Sequence, residues 1–241
     1  MTGRLIGVGL GPGDPELMSV RADRLIRGAR HLAYFRKAGR RGRARKLIDA
    51  LIAPGAEEIA LEYPVTTEIP VTDPAYNAIL AEFYDAACAD LRFRIQGGQT
   101  IVVPCEGDPF FYGSFMHLYT RLRDDVPVEV VPGITGMSAA WTATGEPITW
   151  GDDVLSVVMA TLPEDELTRR IAETDALVVM KIGRNFDKLC RSLRRAGKFD
   201  RAWLVECAAM EEQQVMKLSE AEGRRVPYFT IVMIHGQGRR P

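Results

Sequence analysis

Residues 1–17 read MTGRLIGVGLGPGDPEL, a short apolar strand over 4–10 running into glycines at 7, 9, 11 and 13. A dinucleotide fingerprint, G-x-G-x-x-G, uses its glycines to bring backbone amides against a pyrophosphate at a helix start. Read from Gly7, that pattern needs glycine at 12, where Pro12 stands; read from Gly9, it needs glycine at 14, where Asp14 stands. Pro12 has no N–H to offer a phosphate oxygen. Asp14 at the helix start would repel the anion that the helix dipole attracts. No Gly-Lys-Ser/Thr follows, so a P-loop is excluded. The glycines therefore admit close approach of a ligand without phosphate, or they form a tight strand-to-helix turn with no ligand.

Two further stretches have the same character. VVPCEGDPFFYGSF (102–115) is a buried strand that runs into Glu106-Gly107-Asp108-Pro109 and an aromatic run. Strand ends of parallel sheets are where ligands bind, and an acidic glycine turn there suits a ribose hydroxyl or a cation. The plainer reading is that Asp108 caps the following helix. EVVPGITGMSAA (129–140) is a strand, a Pro-Gly corner and a small-residue helix start. Alone, it reads equally well as a domain hinge.

The remaining pattern is that of an α/β protein. Asp14 caps and Pro15 opens a helix whose Leu17, Val20, Leu25 and Ile26 share a face. HLAYF (31–35) and EEIALEYP (57–64) are strands, with FRKAGRRGRARK (35–46) a basic, glycine-broken loop. Asp73 and Pro74 open the clearest helix, with Tyr76, Ile79, Leu80, Phe83 and Ala87 as its apolar stripe and Gly97-Gly98 as its stop. TIVVPC (100–105) and VPVEVVPG (126–133) are strands; ITGMSAAWTATG (134–145) is a helix. Strands then recur at 154–161, 176–183, 201–209 and 228–236, separated by helical segments at 164–174 and 186–197. This alternation predicts two α/β domains, 1–132 and 133–241, with mixed or parallel sheets covered by helices. No internal repeat or low-complexity segment is visible.

The chain of 241 residues is 46% hydrophobic and 26% charged, an ordinary globular balance. A net charge of -1 argues against nucleic acid as a partner. Cys88, Cys105, Cys190 and Cys207 are scattered, with no CxxC pair and no metal-ligand spacing, which fits a reducing compartment. No secretory signal pattern opens the chain, and no stretch approaches the roughly 20 apolar residues of a membrane span. A cytoplasmic protein without a metal site is the expectation.

The three stretches together, GxGPGDPEL, EGDPFFYG and VVPGITGMSAA at these separations, resemble the tetrapyrrole (corrin/porphyrin) methylase family over essentially the whole chain. The resemblance implies a methyltransferase using S-adenosylmethionine (SAM), held between two α/β domains, and a homodimer. Within the family, LEYPVTTEIP (61–70) and CEGDPFFYGSFMHLYTRL (105–122) look like the cobalamin-biosynthesis branch that methylates carbon 20 of precorrin-2 to give precorrin-3A. The siroheme branch usually reads GGDPFIFGRG, so Glu106 and Tyr112-Gly113-Ser114 point away from it. The branch acting on cobalt-factor II carries nearly the same motifs. Carried over residue by residue, the SAM contacts fall on Pro12, Glu106, Gly107, Asp108, Phe111, Thr135, Gly136, Met180, Ala208 and Thr230. Ala208 stands where the family often has glycine, in a turn that here reads Glu206-Cys207-Ala208, and Thr230 is the weaker carry-over.

No catalytic residue is assigned. Glu106, Asp14 and Glu68 are the carboxylates near these motifs that a proton transfer would require. His31, His117 and His235 read as packing or surface residues. Phe110, Phe111, Tyr112 and Phe115 form an aromatic run suited to a macrocycle or to a core. Arg36, Lys37, Arg40, Arg41, Arg43, Arg45 and Lys46 are either a solvated face or a steering patch for a polycarboxylate tetrapyrrole. Methylation of a diphthamide precursor or an RNA ribose, a non-catalytic tetrapyrrole carrier and a nicotinamide oxidoreductase are the competing readings. The EGDPFFYGSF stretch opposes the first pair, intact Pro12 and Gly107-Asp108 the carrier, and the broken fingerprint the oxidoreductase.

Overall fold

The computed structural model describes residues 3–65 and 73–240. Glu68, with the whole TTEIP stretch (66–70), lies outside them. The chain divides into two compact units, Met1–Thr135 and Gly136–Pro241.

The first unit is a five-stranded parallel sheet in the order β3-β2-β4-β1-β5. Its strands are β1 (Leu5–Gly9), β2 (His31–Lys37), β3 (Glu57–Tyr63), β4 (Ile101–Cys105) and β5 (Val128–Val131). β1 and β4 are buried at every position, which is why both read as unbroken apolar runs. One face packs against α3 (Pro74–Gln96) and α4 (Phe115–Leu122). The other packs against α1 (Val20–Arg27) and α2 (Arg43–Leu47). As the sequence predicts, Asp73 caps α3 by accepting from the amide of Ala75, and Gly97 ends it. The stripe at Leu80, Phe83 and Ala87 packs on the core, and the deepest positions follow it at Tyr84, Cys88, Leu91 and Ile95.

Two local expectations are corrected. Asp14 does cap Pro15, but only a single 3-10 turn, Pro15–Leu17, follows. Ser19 then caps α1 anew by accepting from Ala22. The break shifts the helical phase: Val20 is 79% exposed and Leu17 is exposed, while Ala22 and Ile26 carry the core face. The basic segment 35–46 is likewise not one loop. β2 continues to Lys37, and α2 begins at Arg43. Arg45 is buried, its guanidinium donating Nε to Glu58 at 2.5 Å and Nη2 to Glu58 at 2.7 Å, and a third bond to Asp49. The pair holds the Glu58 carboxyl below the usual range, with the Arg45 hydrogen bonds the largest cause.

The second unit is a mixed five-stranded sheet, β6-β7-β10-β8-β9. Its strands are β6 (Leu155–Met159), β7 (Ala176–Met180), β8 (Trp203–Glu206), β9 (Gln214–Lys217) and β10 (Thr230–Ile234). β6 and β7 are parallel; β10 runs antiparallel to both β7 and β8. α6 (Glu164–Ala172) and α7 (Phe186–Arg195) cover one face. α5 (Gly136–Ala143) lies on the other, with Met137, Ala140 and Trp141 against Val178, Val205, Ile231 and Met233. Among the described residues no helix is long and apolar enough to cross a membrane.

Candidate active site

In the first unit the sheet order reverses between β1 and β4. From β1 the chain crosses to β2 by way of α1 on one face; from β4 it crosses to β5 by way of α4 on the other. The loops leaving these neighbouring strands thus diverge, and such a switch point is where open α/β sheets bind ligands. The loops are residues 10–14, which hold Pro12, and 106–114, which hold Glu106, Gly107, Asp108 and Phe111.

Backbone joins them. Gly107 N donates to Gly11 O at 2.8 Å, and Gly11 N to Gly107 O at 3.3 Å. The loop after β5 enters the same knot. A Cβ on Gly133 would lie 2.1 Å from Gly107 O and 2.8 Å from Gly9 Cα; a Cβ on Gly9 would lie 2.5 Å from Gly133 N. Gly9, Gly107 and Gly133 therefore make a three-way backbone contact that excludes side chains. Gly7 is different: a Cβ there would lie 2.4 Å from the ring of Phe115, so its absence makes room for core packing. Phe115 itself is 1% exposed, which removes it from the aromatic run that faces outward.

Asp108 organises the second loop. Its Oδ1 accepts from Phe110 N at 2.8 Å and its Oδ2 from Gly133 N at 3.0 Å. The carboxylate turns its own loop and ties it to the Pro-Gly corner; it does not cap α4, which starts at Phe115. Glu106 presents surface to solvent near Arg43 and the Ala44 amide at the start of α2. Its surroundings push its pKa up through partial desolvation, and Arg43 opposes them. Pro12 is buried, and Thr135 is half-buried at the end of the unit. Asp14 Oδ1 is engaged by Glu16 N at 2.8 Å.

In the second unit, Met180 ends β7 with its carbonyl accepting from Ala160 N at 2.8 Å. Met180 and Ala208 both pack on the α5 side of the sheet. Gly136 opens α5. Thr230 is buried, pairs with Glu206 across β10 and β8, and donates its hydroxyl to Pro227 O at 2.8 Å.

The backbone marks these positions independently. Among the described residues four non-glycine residues have positive φ: Tyr112 (55°), Lys181 (54°), Cys207 (50°) and Ala209 (58°). Tyr112 follows Phe111, Lys181 follows Met180, and Cys207 and Ala209 flank Ala208. Left-handed backbone costs about 1–2 kcal/mol in residues with a Cβ and gathers at functional sites. Sequence reading does not see this, because nothing in Tyr, Lys, Cys or Ala announces a positive φ.

The histidines are structural or peripheral. His235 is buried with Nδ1 3.0 Å from Pro147 O and Nε2 3.1 Å from Thr144 Oγ1. His31 lies 3.7 Å from Glu57, and His117 packs on the Tyr84 ring at 4.5 Å between centroids.

Comparison with known proteins bears on this arrangement directly. A precorrin-2 C(20)-methyltransferase of Sinorhizobium is 47% identical over 239 residues, covering 99% of this chain and 98% of its own. A cobalt-precorrin-2 C(20)-methyltransferase of Salmonella typhimurium is 25% identical, covering 98% of both. The crystal structure of a uroporphyrin-III C-methyltransferase of Thermus thermophilus, complexed with S-adenosylhomocysteine, superposes with a TM-score of 0.67 at 26% identity, covering 97% of this chain and 92% of that one. The profile of the tetrapyrrole (corrin/porphyrin) methylases matches residues 4–222, and the chain belongs to that family.

Proposed function

We propose that this chain transfers a methyl group from SAM to carbon 20 of precorrin-2, giving precorrin-3A in cobalamin biosynthesis. The observation that carries this reading is the 47% identity to a precorrin-2 C(20)-methyltransferase along the full length of both chains. The donor set supports the cofactor. The first turn offers no phosphate-binding amide at Pro12, and its one carboxylate, Asp14, is engaged, which suits a nucleoside donor without phosphate. The left-handed backbone at Lys181, Cys207 and Ala209 falls beside Met180 and Ala208, two of the positions that the SAM reading names.

Bound SAM supplies an electrophilic methyl on a positively charged sulfur: the carbon–sulfur bond breaks as the new carbon–carbon bond forms, and the sulfonium charge is lost. The residues that would hold it are Pro12, Glu106, Gly107, Asp108, Phe111, Thr135, Gly136, Met180, Ala208 and Thr230. Their task is alignment and exclusion of water, since little covalent chemistry falls to the protein. Glu106, on the loop after β4, is the candidate for taking a proton from the methylated carbon, and desolvation raises its proton affinity. Arg40 and Arg43 would meet the acetate and propionate carboxylates of the substrate. The enzyme acts in the cytoplasm as a homodimer.

Incubation with precorrin-2 and SAM carrying a 13C-methyl group tests the reading. One added methyl, located at carbon 20 by NMR, is expected. Methylation of cobalt-factor II alone would assign the cobalt branch instead; no turnover of either, with SAM bound, would leave a carrier. Light scattering of the purified protein tests the dimer.

A further inference from the structure

The hydroxyls of Tyr63 and Ser114 hydrogen-bond to each other across 51 residues of sequence. Ser114 directly precedes α4, where serine ordinarily accepts a bond from the helix's free amides. Here it is already helical, φ -67° and ψ -23°, and makes no side-chain cap. Its hydroxyl goes to Tyr63 instead. Tyr63 ends β3 and is a rigid partner: its ring stacks on Phe35 at 5.4 Å and packs against Phe83 at 5.2 Å and Tyr84 at 6.5 Å.

The segment between Asp108 and Ser114 is thus tied at both ends. Asp108 holds one end to Gly133, and Tyr63 holds the other. Between the ties Tyr112 sits at φ 55°, and Phe110 and Tyr112 are 46% and 49% exposed. Phe110 is braced edge-on against Tyr119 at 4.7 Å. A non-glycine residue stays left-handed only where its surroundings fix it. The result is a stiff loop presenting two aromatic rings at the carboxyl edge of the parallel sheet, the edge where such sheets bind ligands.

We propose that the Tyr63–Ser114 bond is a positioning device that holds Phe110 and Tyr112 as a wall against one face of the tetrapyrrole, setting affinity for the macrocycle and not for the methyl donor. This rests on the tetrapyrrole activity proposed above. Aromatic faces and edges suit a large ring system, and a loop fixed in advance loses little freedom on binding it. Tyr63 and Ser114 touch no substrate in this scheme; they act through the loop.

The test has two arms. Hydrogen exchange needs no substrate: amides 110–114 exchange about fivefold faster in Tyr63→Phe and Ser114→Ala, the worth of one hydrogen bond, and at the wild-type rate in Ser114→Thr, which keeps the hydroxyl. In steady-state kinetics the same two variants raise the KM for precorrin-2 about fivefold, with kcat within about twofold and S-adenosylhomocysteine affinity unchanged. The double variant is no worse than either single one, because both remove the same bond. Unchanged exchange overturns the proposal. So does faster exchange with an unchanged KM, or an equal loss for both ligands, since each makes the bond merely structural. A wild-type protein that binds S-adenosylhomocysteine but leaves precorrin-2 unmethylated sinks the activity reading and the substrate wall together; the exchange arm then reports separately on the loop.

Discussion

The Asp108 carboxylate accepts from the amide of Gly133, 25 residues away, at 3.0 Å, and so fastens the loop after β4 to the corner after β5. Its other oxygen accepts from Phe110 N at 2.8 Å. Replacing it with alanine strands both amides. Asp108→Ala is expected to lower stability by about 2–3 kcal/mol and to weaken S-adenosylhomocysteine binding as well. Asp108→Asn should resemble it, because one side of the amide group presents N–H to N–H. Calorimetric melting and ligand titration check both; a variant with wild-type melting and weak binding would place Asp108 in direct contact with the cofactor.

Gly133→Ala should be far more damaging than its size suggests. The added Cβ would lie 2.1 Å from Gly107 O, a backbone atom that cannot swing aside. A loss of about 3 kcal/mol or more is expected. Gly39→Ala is the control: it has φ 70° with nothing within 4 Å of its Cβ, so only conformational cost remains, about 1 kcal/mol. Denaturant midpoints for the two variants measure the difference, and equal losses would refute the steric account.

The Arg45–Glu58 pair gives stability a defined pH dependence. Arg45 holds the Glu58 carboxyl below its ordinary value, so the contribution is complete above that value and fades as pH falls through the lower, folded one. Glu58→Gln should cost about 1–2 kcal/mol near pH 7, since Arg45 is buried and Glu58 is about a third exposed. It should also flatten the fall in stability between about pH 5 and 3. Urea titrations across that range decide it; an unchanged slope would mean other carboxylates set the acid limit.

Of the seven cations between 36 and 46, Arg36, Arg41 and Arg45 pair with Glu62, Asp49 and Glu58. Lys37, Arg40, Arg43 and Lys46 complete the set and are exposed, and the steering reading is tested at Arg40 and Arg43. Neutralising both to glutamine should raise the KM for precorrin-2 about tenfold, more at low salt than at high, and leave cofactor affinity alone. Loss of both ligands together would make the segment structural.

β1 and β4 were legible because their burial is complete: LIGVG and IVVPC admit no polar face. The three ligand-edge stretches were legible because glycine, proline and aspartate each restrict backbone in a known way. Other features were not. α2 was hidden because five residues rich in arginine carry no apolar period, and β9 because an edge strand, QVMK, is too short for one. The α1 phase was misread because Ser19 restarts a helix that Asp14 and Pro15 had seemed to open. The Tyr63–Ser114 bond and the left-handed backbone at 112, 181, 207 and 209 arise from tertiary surroundings, and no local pattern encodes them.

The second sheet has its latest strand in its middle: β10 lies between β7 and β8 and bonds to both. Until a ribosome has released residue 234, β6-β7 and β8-β9 are two separate ribbons with a gap where their shared partner belongs. The parallel sheet has all five of its strands by residue 131 and can close during translation. A premature stop anywhere before β10 should therefore yield a sound first half joined to an unfolded remainder, a ready target for proteolysis.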